Sequence, residues 1–202
     1  MTTLTRASGK DDVRAGILRA SLELMNEGGL GSLSMREVAR RAGVSHQAPY
    51  HYFQDREAIL AELAGEGFEQ LYDYMVSAIG LARDRASKNR AMGEAYVRFA
   101  LNNPEVFRLM FRCEMVDLSR YPDAKAKADR CFNVPVEVLG ASGTSADKSN
   151  PDLTPVIATW SLAHGLATLL LEGKLGQSLG ETNDQREIAA NRVIAFFSER
   201  FK

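Results

Sequence analysis

An all-α fold is what this sequence predicts, and three observations carry the prediction. Apolar residues recur at helical spacing along most of the chain, with no convincing alternating stretch that would suit a half-buried strand. Capping residues stand where helices should open: Ser34 three residues before Glu37, Asp55 ahead of a long periodic run, and Thr182 three residues before Gln185. Finally, RAGVS joins two short helical stretches through one glycine, the connection of a helix-turn-helix.

The elements follow in order. Val13, Ile17, Leu18, Leu22, Leu24 and Met25 mark a first amphipathic helix that ends at Gly28-Gly29. Ser34 opens a short second helix through Arg41, and Ala39 is small enough for a close crossing. Gly43 can take the positive backbone angle of a tight turn. Ser45 is the expected N-cap of a third short helix. Asp55 then opens a long fourth one with Ile59, Leu63, Phe68, Leu71, Tyr72, Met75 and Ile79 on or near its apolar side. Further helices are predicted over Asn89–Leu101 and Pro104–Arg112, with Pro104 in a first-turn position. Asp123–Leu139 has helical character that Pro135 is expected to interrupt, and GASGTSADKSNP (140–151) reads as a loop. Two last helices fit Pro155–Gly173 and Asp184–Glu199.

The stretch SHQAPYHYF (Ser45–Phe53) is the most unusual in the chain. Val38, Val44, Pro49 and Phe53 fall on the inward face, which leaves His46, Gln47, Ala48, Tyr50 and His51 outward and Tyr52 at the edge. Early residues of a recognition helix are the ones that reach base edges in a major groove. Gln47 can pair with adenine, Ala48 can touch a thymine methyl, and His46 donates or accepts according to tautomer. Tyr50 and Tyr52 suit phosphate oxygens, and Arg36, Arg41 and Arg56 can add charge-assisted phosphate contacts, as can the helix N-terminal amides near Ser45. Equally, a short helix pair with exposed aromatics occurs in many helical proteins, so a protein-binding module without specific DNA affinity stands as the alternative.

SMREVARRAGVSHQAPYHYFQDREAIL resembles the DNA-binding segment of the TetR family of bacterial transcriptional regulators, with good correspondence from Ile17 through Leu60. Pro49 stands where the family more often has leucine or isoleucine, and Arg56 where it has lysine. NPEVFRLMF (Asn103–Phe111) and WSLAHGLATLLLEG (Trp160–Gly173) resemble a C-terminal domain of that family with a Trp, His-Gly pattern. The resemblance implies a helix-turn-helix domain over 1–55 and a helical ligand-binding and dimerisation domain over 56–202. It also implies a homodimer through the last two helices, double-stranded DNA with a palindromic operator as partner, and a small-molecule effector. Repression is the family's usual mode, and activators exist.

Phe68, Tyr72, Met75, Phe99, Phe107, Met110, Phe111 and Trp160 are candidates to line an apolar effector pocket, with His164 as a polar anchor. The competing reading makes each of them core and makes His164 a donor across a helix contact that Gly165 permits. Ile188, Ala189, Val193, Phe196 and Phe197 form a stripe suited to a partner helix.

Composition narrows the remaining classes. A hydrophobic share of 45% supports a packed core, and 25 Lys+Arg against 26 Asp+Glu leave a net charge of -1 that permits only a local basic face. No enzyme is expected: there is no phosphate-binding glycine loop or GxSxG, and His46 and His51 are not at metal-ligand spacing. No cofactor and no metal are called for. The apolar run Val156–Leu171 is broken by Thr159, Ser161, His164 and Thr168, short of the ~20 apolar residues of a membrane span, so a buried helix and no membrane are expected. Cys113 and Cys131 lack CxxC spacing, and MTTLTRASGKDDVR has no apolar core, so reduced thiols and a cytoplasmic location are expected.

Overall fold

A computed structural model describes residues 6–140, 152–175, 180 and 182–198. The elements among these residues are all helical: α1 (Arg6–Gly28), α2 (Met35–Arg41), α3 (Arg56–Ile79), α4 (Arg85–Asn102), α5 (Pro104–Met110), α6 (Pro122–Leu139), α7 (Thr154–Leu171) and α8 (Asn183–Ser198). Short 3-10 turns occur at Leu30–Ser32, Ala48–His51 and Leu118–Arg120. The chain divides into two compact units, residues 1–67 with 105–125, and residues 68–104 with 126–202.

In the first unit Ile17, Met25, Val38, Ile59 and Leu60 are fully buried at the junction of α1, α2 and α3. Each such side chain contributes roughly 1.5–3 kcal/mol through its removal from water. Helix ends are satisfied locally. Ser34 Oγ accepts from the Glu37 amide at 3.2 Å and Asp55 Oδ1 from the Ala58 amide at 2.9 Å, as the capping patterns predict. Gly43 turns the chain between α2 and the Ala48–His51 turn at φ 68°, the left-handed conformation expected of it. Leu109 and Val116 are buried in this same core, which is why 105–125 belong to the first unit although the expected division at 55/56 separates them from the helix-turn-helix.

In the second unit α4 packs against α7 and α8. It runs antiparallel to α8: the Leu101 carbonyl accepts from Asn183 Nδ2, Arg98 pairs with Glu187 at 2.6 Å, and Gly93 faces Ile194. Thr182 and Gln185 cap α8 reciprocally, each side-chain oxygen accepting the other's amide at 3.3 Å. An unforeseen capping box between Asp84 and Ser87 starts α4 four residues before the expected Asn89.

Two expectations need correction. Pro135 does not interrupt α6, which continues to Leu139. One missing amide is a local loss of backbone hydrogen bonding, and the turns on either side carry the helix through it. Nor is α7 a fully buried helix. It is long and apolar enough to cross a membrane, with mean hydropathy 1.3, but only 28% of it is buried, and Ile157, Trp160 and Leu169 stand exposed. Its apolar residues circle the helix, so packing on α4 and α8 leaves part of it uncovered. The predicted loop at 141–151 lies outside the described residues.

Two glycines make opposite stability tests. A Cβ on Gly67 would come within 2.5 Å of Val106 Cγ1 and 2.8 Å of Met110 Sδ, whereas one on Gly16 meets nothing within 4 Å. Gly67→Ala is expected to lower the free energy of unfolding, because overpacking of about 1–3 kcal/mol at so short a contact outweighs the helix-propensity gain of up to about 1 kcal/mol. Gly16→Ala keeps that gain and is expected to stabilise by about 0.5–1 kcal/mol. Urea unfolding of both variants measures the difference.

Candidate nucleic-acid interface and effector cavity

The unusual stretch forms a short 3-10 turn. Ser45, Gln47 and Pro49 carbonyls accept from the amides of Ala48, Tyr50 and Tyr52 at 2.9, 3.2 and 3.1 Å. Ser45 is therefore not the N-cap of an α-helix. Gln47 occupies the cap position and Pro49 falls in the first turn, where a missing amide and a preset φ cost least. Pro49 and Phe53 are buried. Ser45, His46, Gln47, Tyr50 and His51 are exposed, with Ala48 and Tyr52 half-buried. The His46 and Tyr50 rings lie 6.2 Å apart at a tilt of 47°. Apart from Ala48, expected outward, and Val44, expected inward, both of which are half-buried, this is the division into inward and outward residues that the pattern predicts, on a shorter element.

The arginines divide differently. Arg36 is exposed on α2. Arg41 makes two hydrogen bonds to Glu27, at 2.6 and 2.5 Å, and lies 3.6 Å from Glu23. These bonds hold the Glu27 carboxyl below its usual range and push the Arg41 guanidinium up. Arg56 turns inward: its Nε and Nη2 donate to the carbonyls of Leu33 and Leu30 at 2.8 and 2.6 Å. In this structure, then, Arg56 clamps the connection between α1 and α2 instead of standing free for a phosphate. A bulky cation beside two backbone carbonyls satisfies acceptors that the connection cannot satisfy itself.

The residues expected to line an effector pocket are distributed over both units. Phe68, Tyr72, Met75, Phe99, Trp160 and His164 belong to the second, and Phe107, Met110 and Phe111 to the first. Phe68, Met75, Phe99, Phe107 and Met110 are buried core, and Phe111 and Tyr72 are partly buried. Arg130 lies 3.8 Å over the Tyr72 ring while pairing with Glu69 at 2.7 Å. Met110 borders a cavity of about 430 Å³ in the first unit, together with Leu109, Cys113, Val116 and Lys125. None of the nine lines the larger cavity, of about 720 Å³, in the second unit. Its walls come from Arg85, Ala86, Asn89 and Gly93 of α4, Leu139, a face of α7 from Thr154 to Ala163, and Ile194 and Phe197 of α8. Sequence reading missed this wall because small residues at helical spacing look like ordinary packing. The one available signal was Arg85 and Asn89, polar residues one turn apart on the same face as Gly93.

His164 is tied to Tyr96, a residue the sequence did not single out. The Tyr96 hydroxyl lies 2.9 Å from His164 Nδ1 and accepts from Trp160 Nε1 at 3.3 Å, and the Trp160 ring meets Phe132 edge-on at 5.8 Å. Burial lowers the His164 pKa and raises that of Tyr96. Nearby Cys131 is buried, and burial pushes its thiol up to about 12, while Cys113 is exposed. Protonation of His164 would make both ring nitrogens donors, beside a Tyr96 hydroxyl that already accepts from Trp160. Because the folded pKa lies below the ordinary value of 6.5, the stabilisation is present above that value and is lost as pH falls through the folded pKa. Wild-type protein is therefore expected to lose more unfolding free energy than His164→Gln between pH 7.5 and 5. Parallel urea titrations at the two pH values check this.

Comparison with known proteins agrees with this geometry. Residues 17–63 match the family described as bacterial regulatory proteins, tetR family, and residues 89–195 match the tetracyclin repressor-like C-terminal domain. A Rhodococcus sp. RHA1 protein of unknown function is 25% identical over 98% of both chains, with a TM-score of 0.70. A TetR family transcription regulator from Marinobacter aquaeolei VT8 is 20% identical over 95% of this chain and 97% of its own, with a TM-score of 0.60. The transcriptional regulator FadR of Bacillus subtilis, solved with stearoyl-CoA, is 16% identical over 90% of this chain and 97% of its own, with a TM-score of 0.64. With both of its domains matched, the chain belongs to the TetR family and is a DNA-binding transcriptional regulator, not an enzyme.

Proposed function

We propose that the protein is a homodimeric, ligand-responsive repressor that binds a palindromic operator and releases it when a small molecule occupies the second unit. The observation that carries the DNA reading is the outward set His46, Gln47, Tyr50 and His51 on a turn whose Pro49 and Phe53 are buried. Two copies of that turn would enter successive major grooves about 34–36 Å apart. Arg36, Tyr50, Tyr52 and the amides around Ser45 would fix the register on phosphates, and His46, Gln47 and Ala48 would read bases. Arg41 and Arg56 reach DNA in this reading only by leaving Glu27 and the Leu30 and Leu33 carbonyls.

The dimer reading is supported by apolar residues exposed on the last two helices: Ile157 at 52%, Leu169 at 42%, Ile188 at 62% and Phe196 at 51%. Large apolar side chains left exposed on neighbouring helices suit an interface. Release follows if the effector binds the operator-competent spacing less well than another, since a ligand shifts an equilibrium only through its differential affinity. The cavity of about 720 Å³ supports the existence of an effector, as does the acyl-CoA bound by the Bacillus subtilis relative.

Selection of the purified protein on random duplex DNA at two salt concentrations tests the reading, because non-specific binding is the salt-sensitive part. A recovered palindrome is the expected result, and salt-sensitive binding with no motif would favour a protein-interaction module. On that operator, Gln47→Ala is expected to relax preference at one base pair at a cost of about 1–3 kcal/mol. Tyr50→Phe should weaken all sites about equally, as loss of a phosphate contact does. Paired Ile188→Glu and Phe196→Glu substitutions should shift the sedimentation coefficient to that of a monomer. A dimer that survives them would place the interface elsewhere.

A further inference from the structure

We infer that the cavity between α4, α7 and α8 binds a neutral, mainly apolar small molecule carrying one hydroxyl or carbonyl group. Any regulatory meaning of that binding rests on the effector reading above.

The size comes first. At about 720 Å³ the cavity falls in the range of small-molecule sites, roughly 300–1,000 Å³. Its walls are mostly hydrocarbon, with Ala86, Leu139, Leu162, Ala163, Ile194 and Phe197 around it. Gly93 leaves room on the α4 side, and a Cβ there would already come to 3.3 Å of Ile194 Cγ2. Such a surface favours an apolar body.

Charge decides the head group. Arg85 is the single ionisable side chain among the described lining residues, and its guanidinium donates to the Leu139 carbonyl. No lining carboxylate would match a cation, and one solvent-facing arginine already engaged with a carbonyl is a poor match for an anion. A cation entering a largely hydrocarbon cavity loses its hydration and gains no opposite charge, and an anion gains only the exposed Arg85. The remaining polar groups are the hydroxyls of Thr154, Thr159 and Ser198, the last already donating to the Ile194 carbonyl at 2.9 Å, and the carboxamide of Asn89. Each can both donate and accept, which is what an alcohol or carbonyl requires.

Asn89 adds an independent observation. Its Oδ1 is buried and has no hydrogen-bond partner, although the side chain borders the cavity. Buried amide oxygens are nearly always paired. Rotation of the carboxamide exchanges its O and N positions, so the group can present either a donor or an acceptor to a ligand while its own pairing stays incomplete in the protein alone. An asparagine kept for packing would be replaced without loss by leucine.

The test uses the purified full chain without DNA and the neutral dye N-phenyl-naphthylamine, whose fluorescence rises in an apolar site. Displacement is then measured with decanol, decanoate and decylamine, which share a chain and differ in head charge. The dye is expected to saturate, and decanol to displace it at least about tenfold more effectively than either ion. Ala86→Trp, which fills the cavity from α4, should abolish dye binding. Asn89→Leu should leave dye binding in place, raise the melting temperature and weaken displacement by decanol. Dye binding that survives in a folded Ala86→Trp protein would overturn the proposal, as would decanoate or decylamine competing as well as decanol. If Ala86→Trp does not fold, the head-group series on wild type and Asn89→Leu decides the matter. Decanol that binds without changing operator affinity would uphold this site and overturn the effector reading. An intact operator response with an empty cavity would do the reverse.

Discussion

The outward surface of the helix-turn-helix depends on the burial of Pro49 and Phe53. A 3-10 turn of four residues has too few internal hydrogen bonds to hold its own shape. Here the turn is anchored from beneath: the Pro49 ring is buried, its carbonyl accepts from the amides of both Tyr52 and Phe53, and Phe53 is packed into the α1–α3 core with the Arg14 guanidinium 5.2 Å from its ring. With those two positions inside, the intervening geometry sends His46, Gln47, Tyr50 and His51 outward. Proline is well chosen for such a place. It has little conformational entropy to lose, and in the first turn its missing amide is no loss.

The same unit shows how electrostatics is divided between holding the fold and meeting a polyanion. Arg56 is committed to the Leu30 and Leu33 carbonyls, and Arg41 to Glu27 and Glu23. Arg56 braces the connection before α2 and Arg41 ties the end of α2 to α1, so the helix-turn-helix geometry is set before DNA arrives. Arg36 is left exposed on the same helix. With a net charge of -1 for the whole chain, attraction to DNA rests on local placement, and a rigid scaffold lets a few contacts count.

Much of this was legible in the sequence, for a physical reason. Caps are local, so Ser34, Asp55 and Thr182 announce helix starts that the structure bears out. Gly43 is local too, because only a positive φ makes that turn. Inward and outward residues of Ser45–Phe53 follow from spacing. What escaped depends on contacts distant in sequence. Arg56 meets carbonyls 23 and 26 residues away, and Tyr96 meets a histidine 68 residues on. Val116 enters the core of the first unit although the chain reaches it after α4. The cavity escaped because an opening is made by the residues that do not fill it, and Gly93, Ala86 and Ala163 read as close packing. Pro135 misled for a related reason: propensity weighs a residue alone, while the apolar residues Cys131, Val134 and Leu139 bury the helix on both sides of it.

Helix α7 concentrates the demands that remain. One side supplies Val156, Ala163, Ala167 and Leu170 to the core of the second unit. Another carries Trp160 and His164, whose polar atoms meet at Tyr96. Ile157, beside that pair, and Leu169, about a third of a turn around the helix from Ile157, stand exposed, and Ala158 and Thr159 border the cavity. A helix with so many apolar sides has no solvent face, and in water such a helix is stable only when neighbours cover it. Within one chain α4 and α8 cover part of it, so its composition makes sense only if something else covers the rest. A second copy and a cavity-filling ligand would take different portions of that surface. A ligand entering beside Ala158 and Thr159 would then press on the helix that also presents Ile157 and Leu169, so dimer packing and ligand occupancy would act on one rigid element. Coupling of that kind needs no flexible relay, only a helix that cannot satisfy both neighbours equally well in every position.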